Sequence, residues 1–300
     1  MKRLFKEGFP NHVYSKGYGG FMVFYSTADC LFYYTLYSCL SRKYRIRTSA
    51  FSLMPNHTHS QQEASSLRAF TCFNKDLQSQ FTRGYNKQHG RIGELFQKPF
   101  GSAPKTGSKS IKNNLSYINN NGAAGNLSNG VLDYRWNLLA YHDSDHPFSD
   151  RIILNKVSIR LRWAIKYVEK IRRRNKPLDY RIQSMLFKGL NPAERKQLLD
   201  NIIVQYNFLD YDVLIKHFGS FEKALAAMDA NTGSEYDLKE EWEDYSAYRA
   251  MIETASKAGY DMESINFEHL DEKDLVGIIN LLSGVCRDKK KIKRFLHLEG

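Results

Sequence analysis

Three hundred residues, 42% hydrophobic and 13% aromatic, suffice for one large domain or two smaller ones with a substantial core, and exclude a disordered chain. The four cysteines (Cys30, Cys39, Cys72, Cys286) have no C-x-x-C spacing and no disulfide framework, which excludes a cysteine-stapled secreted module and fits reduced thiols in the cytoplasm. The net charge of +12 sits mostly in residues 1–150, with 18 Lys/Arg against 9 Asp/Glu, and suits a polyanion such as nucleic acid, although a plain basic enzyme has the same composition.

The N-terminus "MKRLFKEGFPNH" lacks the apolar run of a signal peptide. "NHVYSKGYGG" predicts a strand closed by a glycine turn, with Val13 and Tyr14 as strand formers. The apolar window "GFMVFYSTADCLFYYTLYSCL" is long enough to span a bilayer, but Asp29 and four hydroxyl residues interrupt it. It predicts a strand end and then a buried helix capped by Ser26 or Thr27, not a membrane span. "RIRTSAFSL" predicts a strand, "MPN" breaks it, and "HTHSQQE" runs back as the next one.

"SSLRAFTCFNKDLQSQFTRGYNKQHG" predicts a long helix, with Leu67, Phe70, Phe73, Leu77 and Phe81 at helical spacing and Gly90 past its end. "ELFQKPFGSAPKTG" predicts a strand and a basic loop. "SKSIKNNLSYINNNG" predicts a helix that stops at Gly122. The order β-α-β-β-α-β-α predicts an α+β domain, an antiparallel sheet with helices on one face.

After residue 148 the pattern is helical. The polar stretch "HDSDHPFSD" is the expected boundary, giving units 1–148 and 149–300. "LNKVSIRLRWAIKYVEKIRRRN" reads as a basic amphipathic helix, and "LNPAERKQLLDNIIVQY" as one capped by Asn191 with Glu194 three residues on. "GSFEKALAAMD" and "DLKEEWEDYSAYRAMIETASKAG" follow. Residues 271–298 resemble a helix-turn-helix with its turn at Ser283–Val285. Arg287, Lys289, Lys290, Lys293 and Arg294 are then expected to face outward toward the major groove of duplex DNA. An ordinary helical hairpin with a solvated basic face has the same pattern.

Chemistry concentrates at two places. On a strand His57 and His59 point to the same side and can share one divalent cation, although a lone H-x-H also arises by coincidence. On the helix, Ile111, Leu115 and Ile118 form an apolar stripe. Ser110, Asn114, Tyr117 and Asn121 form a polar one beside it, which sets a phenol and an amide one turn apart. Lys98, Lys105 and Lys109 lie in or near the loop before this helix and could steer phosphates. Tyr85 and Phe100 are candidates for base stacking that also suit the core.

The blocks "LMPNHTH", "YNKQHGRIGELFQKPFGSAPK", "LSYINNNGAAGNL" and "DYRWNLLAYH", in that order, resemble the single-tyrosine HUH transposases, specifically the REP-associated tyrosine transposase (IS200-like) family, over roughly residues 8–148. The resemblance implies a ferredoxin-like HUH domain. It implies His57, His59 and Asn121 as ligands of Mg²⁺ or Mn²⁺ and Tyr117 as the nucleophile. It also implies cleavage and rejoining of single-stranded or hairpin DNA through a phosphotyrosine, in a cytoplasmic, nucleoid-associated protein that is a monomer or homodimer. Three features depart from the family pattern: Thr58 between the histidines, "SQQE" after them, and "NNNGAAG" after the tyrosine. They motivate the alternative of a domesticated, non-catalytic DNA-binding protein.

Overall fold

Strand β1 (Asn11–Lys16) is buried along most of its length, as a central strand must be. The computed structural model describes residues 4–230 and 244–298. Helix α1 (Thr27–Tyr44) starts at a reciprocal capping box: Ser26 Oγ accepts from the Asp29 amide, and the Asp29 carboxylate accepts from the Ser26 amide. It ends where Arg45 takes a left-handed conformation, turning the chain into β2 (Arg47–Met54). Pro55 and Asn56 make the reversal into β3 (His57–Glu63). Helix α2 (Leu67–His89), β4 (Gly101–Pro104) and α3 (Ser108–Ala124) complete the unit.

The sheet is antiparallel with order β2-β3-β1-β4, the arrangement of a ferredoxin-like βαββαβ fold. Its strands agree with the expected segments, except that β4 takes only the second half of its segment. Gly101 stands opposite Tyr14 in the β1–β4 register. A Cβ there would lie 2.0 Å from the Tyr14 ring, so only glycine lets that ring cross β4.

The two connecting helices share one face of the sheet, as expected. Thr58 meets Tyr33 of α1, and Gln62 meets Asn74 of α2. Helix α3 covers the opposite face, where Asn114 bonds Gln61. It does not stop at Gly122. That glycine lies inside the helix, and a Cβ on it would meet the Tyr134 ring at 2.2 Å, so its role is close packing and not termination.

Helices α4 (Ile159–Arg173), α5 (Tyr180–Phe187), α6 (Pro192–Tyr206), α7 (Tyr211–Phe218) and α8 (Phe221–Asp229) wrap the outside of this sandwich. The Asn191–Glu194 capping box forms as expected. Helices α5 and α6 lie on α1, and α7 and α8 lie on α3. This explains why α1 is apolar and aromatic on every side: it is enclosed between sheet and helices. One cluster of buried side chains therefore runs from Val13 to Met228.

Residue 148 marks where the strand-bearing part ends, not where that core ends. The buried Asp200 carboxylate of α6 accepts bonds from Arg135, from Tyr141 Oη at 2.7 Å, from the Phe148 amide at 3.1 Å and from Ser149 Oγ at 2.8 Å. The helix expected from residue 237 begins outside the described residues. Its described part is α9 (Ser246–Lys257), which joins α10 (Glu272–Ser283) and α11 (Lys289–Leu296) in a second cluster with Met22, Tyr25, Met54 and Tyr134. Among the described residues no helix is long and apolar enough to cross a membrane, and all four cysteines are free thiols.

Candidate active site

The strand register sets the site. Pairings Lys16↔His57, Tyr14↔His59 and His12↔Gln61 put these side chains on the face that α3 covers, and β2 adds Met54, Ser52 and Ala50. The His57 and His59 rings lie 4.7 Å apart between centroids, so the two imidazoles converge as expected. The Tyr117 ring is 5.4 Å from His59, edge to face. It is also 5.8 Å from His12, a residue the sequence did not single out.

Helix α3 runs along β3 in the opposite sense. Asn114 donates to Gln61 Oε1 at 2.6 Å, Tyr117 lies over His59, and Gly125 touches Met54, whose register partner is His57. This progression brings Asn121 to the His57 end of the row. Asn121 is 6% exposed, and its buried Nδ2 has no hydrogen-bond partner. A buried amide left so is costly unless something else engages the group.

Each histidine is held at Nδ1. His57 Nδ1 lies 2.7 Å from Asn56 Oδ1, an acceptor only, so the ring proton sits on Nδ1 and the lone pair on Nε2. His59 Nδ1 lies 2.9 Å from His12 Nε2. With the shared proton on His59, its Nε2 likewise carries the lone pair. Metal-ligating histidines have this arrangement, in which a second partner fixes tautomer and orientation. Imidazole nitrogens are donors that a divalent cation accepts, and an amide oxygen from Asn121 would be the third donor of such a set. No cluster of three or more His, Cys, Asp or Glu able to hold a metal occurs among the described residues, so the amide is needed to complete a set.

The polar strand β3 is buried from Thr58 to Gln62, and its side chains find polar partners. Tyr33 Oη is 3.2 Å from Thr58 Oγ1. Gln61 Nε2 donates to Ser49 Oγ at 2.9 Å, across a bulge in β2. Gln62 and Asn74 exchange bonds of 2.9 and 3.2 Å between their amides. Helices α1 and α2 and strand β2 thus supply polar partners to Thr58, Gln62 and Gln61.

The site is enclosed. His59 is 1% and Tyr117 7% exposed. Tyr245, just before α9, sets its hydroxyl 3.4 Å from His57 Nδ1 and its amide on Gly125 O at 2.9 Å. Sequence spacing gives no signal for Tyr245. Asn56 was accessible in principle as the neighbour of His57, whereas His12 enters only through the β1–β3 register.

The basic candidates are more dispersed. Lys98 is tied to Glu94 at 2.8 Å. Lys105 is half-buried, with its amide on Pro10 O, and Lys109 is exposed in the first turn of α3, about 12 Å along the axis from Tyr117. Tyr85 and Phe100 are buried in the core and offer no stacking surface.

In the C-terminal segment Ile292, Phe295 and Leu296 are buried as expected, but residues 284–288 separate the helices, a longer link than the expected turn. Arg287, Lys289, Lys290 and Lys293 are exposed. Arg294 is not an outward residue. It is half-buried, its guanidinium lies against Gly20, and its carbonyl accepts from the Met22 amide.

No family model matches the sequence, and no curated protein matches it. Among solved structures it resembles that of a REP-associated tyrosine transposase bound to a REP hairpin, with 14% identity and a TM-score of 0.42, over 51% of this chain and 98% of that one.

Proposed function

We propose that this site cleaves and rejoins single-stranded or hairpin DNA, with Tyr117 as nucleophile. The observation that carries the reading is that, within one chain, the Tyr117 ring lies against His59, whose ring in turn lies against His57. Tyr117 Oη would attack the scissile phosphorus, losing its proton. The bond from phosphorus to the 3′ oxygen breaks, and that oxygen leaves as a hydroxyl after taking up a proton. The ester is conserved as phosphotyrosine, so a second 3′ hydroxyl can reverse the step without an external energy source. His57, His59 and Asn121 would hold Mn²⁺ or Mg²⁺, which when bound supplies a Lewis acid for the phosphate oxygens.

His12 and Asn56 act as positioning residues by fixing Nδ1 of each histidine. Lys105 and Lys109, with the exposed Arg287, Lys289, Lys290 and Lys293, would contact DNA phosphates. Lys98 contributes less because Glu94 neutralises it.

The second reading is a DNA-binding protein that no longer cuts. The observation favouring it is the cover that Tyr245 places over His57, since a phosphodiester reaches Tyr117 only when that cover moves. One experiment separates the two. The full chain is incubated with hairpin-bearing single-stranded DNA and Mn²⁺ and then denatured on a gel. A covalent adduct, abolished by Tyr117→Phe and by EDTA, is expected; binding without adduct in any metal supports the second reading.

A further inference from the structure

Basic charge in the second half of the chain gathers on two helices, α4 and α11. Residues 156–176 hold nine Lys/Arg and a single acidic residue, Glu169, while the remainder of residues 151–300 is net acidic. Helix α4, at the centre of this run, is fixed to the protein by Leu161, Ala164, Val168 and Ile171, which are buried, and it packs on α6. Its other face is exposed and carries Arg162, Lys166 and Lys170 at i, i+4 and i+8, roughly 6 Å apart along the axis.

None of these three has an acidic partner among the described residues. Like charges at i, i+4 destabilise a helix, so two successive repulsive pairs cost folding stability that a purely structural surface would avoid. Helix α11 repeats the like-charge spacing at Lys289/Lys293 and Lys290/Arg294, whereas opposite charges pair at i, i+4 in Arg249–Glu253 and, on α4 itself, in Arg173–Glu169.

The row is bordered by a rigid stack. Trp163, 38% exposed, lies under the Arg160 guanidinium at 4.3 Å and beside the Tyr167 ring at 5.1 Å. Arg160 is itself anchored to the Lys188 carbonyl at 2.9 Å and to the Met185 carbonyl. Side chains already ordered in this way lose little entropy on binding.

We infer that the exposed face of α4 is a nucleic-acid surface in which Arg162, Lys166 and Lys170 track the phosphate backbone of duplex DNA. An evenly spaced row of uncompensated cations on a rigid rod complements a regular polyanion, and such contacts position the duplex without reading its sequence. This surface is separate from Tyr117 and holds whether or not the chain cuts DNA.

The test uses full-length protein carrying Tyr117→Phe, without divalent metal, so that no adduct can form. Binding of a labelled DNA hairpin is followed by fluorescence anisotropy across a salt series. Arg162→Glu/Lys166→Glu/Lys170→Glu should weaken binding at least about tenfold and reduce the salt slope by about two to three, as expected for loss of three phosphate contacts. Reversing the exposed Lys216, Lys223 and Lys257 to Glu changes the net charge equally and should have a much smaller effect. The glutamine version of the α4 triple, which removes charge without adding repulsion, should also weaken binding, with circular dichroism confirming the fold. Equal loss in the two glutamate triples, or an unchanged slope in the α4 triple, would overturn the inference. So would a chain that ignores DNA and instead sediments with phosphatidylserine vesicles.

Discussion

His57, His59 and Gln61 leave β3 toward α3, whereas Thr58, Ser60 and Gln62 leave it toward α1 and α2. Both rows are polar and nearly all buried, yet they are satisfied in different ways. On the α1/α2 face hydroxyls and amides meet their match: Thr58 with Tyr33, Gln62 with Asn74, and Ser15 with Gln78. On the α3 face the imidazoles and an amide take the place of those matched pairs. Both histidines are tied at Nδ1, and the Asn121 amide nitrogen has no partner. Burial of polar atoms without full pairing costs free energy, and functional sites are where proteins retain that cost. One strand thus serves as a hydrogen-bonded core on one side and as a candidate metal platform on the other.

The largest effect that would break this comparison lies at His12. His12→Phe removes the acceptor from His59 Nδ1 and should lower Mn²⁺ affinity by about 10–100-fold. His12→Gln keeps a carbonyl acceptor and should recover part of it. Titration calorimetry reads both, and an unchanged affinity in a folded His12→Phe protein would remove the positioning role. On the opposite face, Gln62→Leu strands the Asn74 amide and should cost about 1–3 kcal/mol of stability. It should leave Mn²⁺ affinity untouched, which thermal denaturation and the same titration would verify.

A smaller effect concerns the C-terminal helices that close over the histidine face. His297 and the Arg91 guanidinium, the latter at 2.5 Å, hold the Glu268 carboxyl down at about 2. A carboxyl lowered on folding contributes stability that is fully present above about 4.5 and is lost as the pH falls toward 2. Glu268→Gln should flatten the melting temperature over that window and leave it little changed near neutrality. A wild-type protein whose acid profile matches that of the variant would show that this link contributes nothing.

Much of the fold was legible in the residues because local signals agreed with one another. Ser26 and Asp29, Asn191 and Glu194, and Gly90 after α2 are end signals that act within a few residues. The alternation of His57 and His59 placed them on one face before any partner strand was known. His12 was not legible as a site residue, because its role depends on the β1–β3 register. Tyr245 was not legible because it arrives from 188 positions beyond His57. Arg294 was misplaced for a related reason: helical periodicity gives a residue's direction, but not that residues 18–22 lie in that direction. Gly122 read as a stop because the Tyr134 ring that requires it was out of local view.

The most direct test of the central claim is a Mn²⁺ titration of the full chain, read by paramagnetic broadening in NMR spectra with histidine and tyrosine labels. The imidazole signals of His57 and His59 and the ring signals of Tyr117 should broaden together at the lowest Mn²⁺ additions, ahead of the exposed His269. Broadening that spreads evenly over surface groups, with those three residues still sharp, would contradict the assignment of this buried face as a metal-assisted nucleophile site.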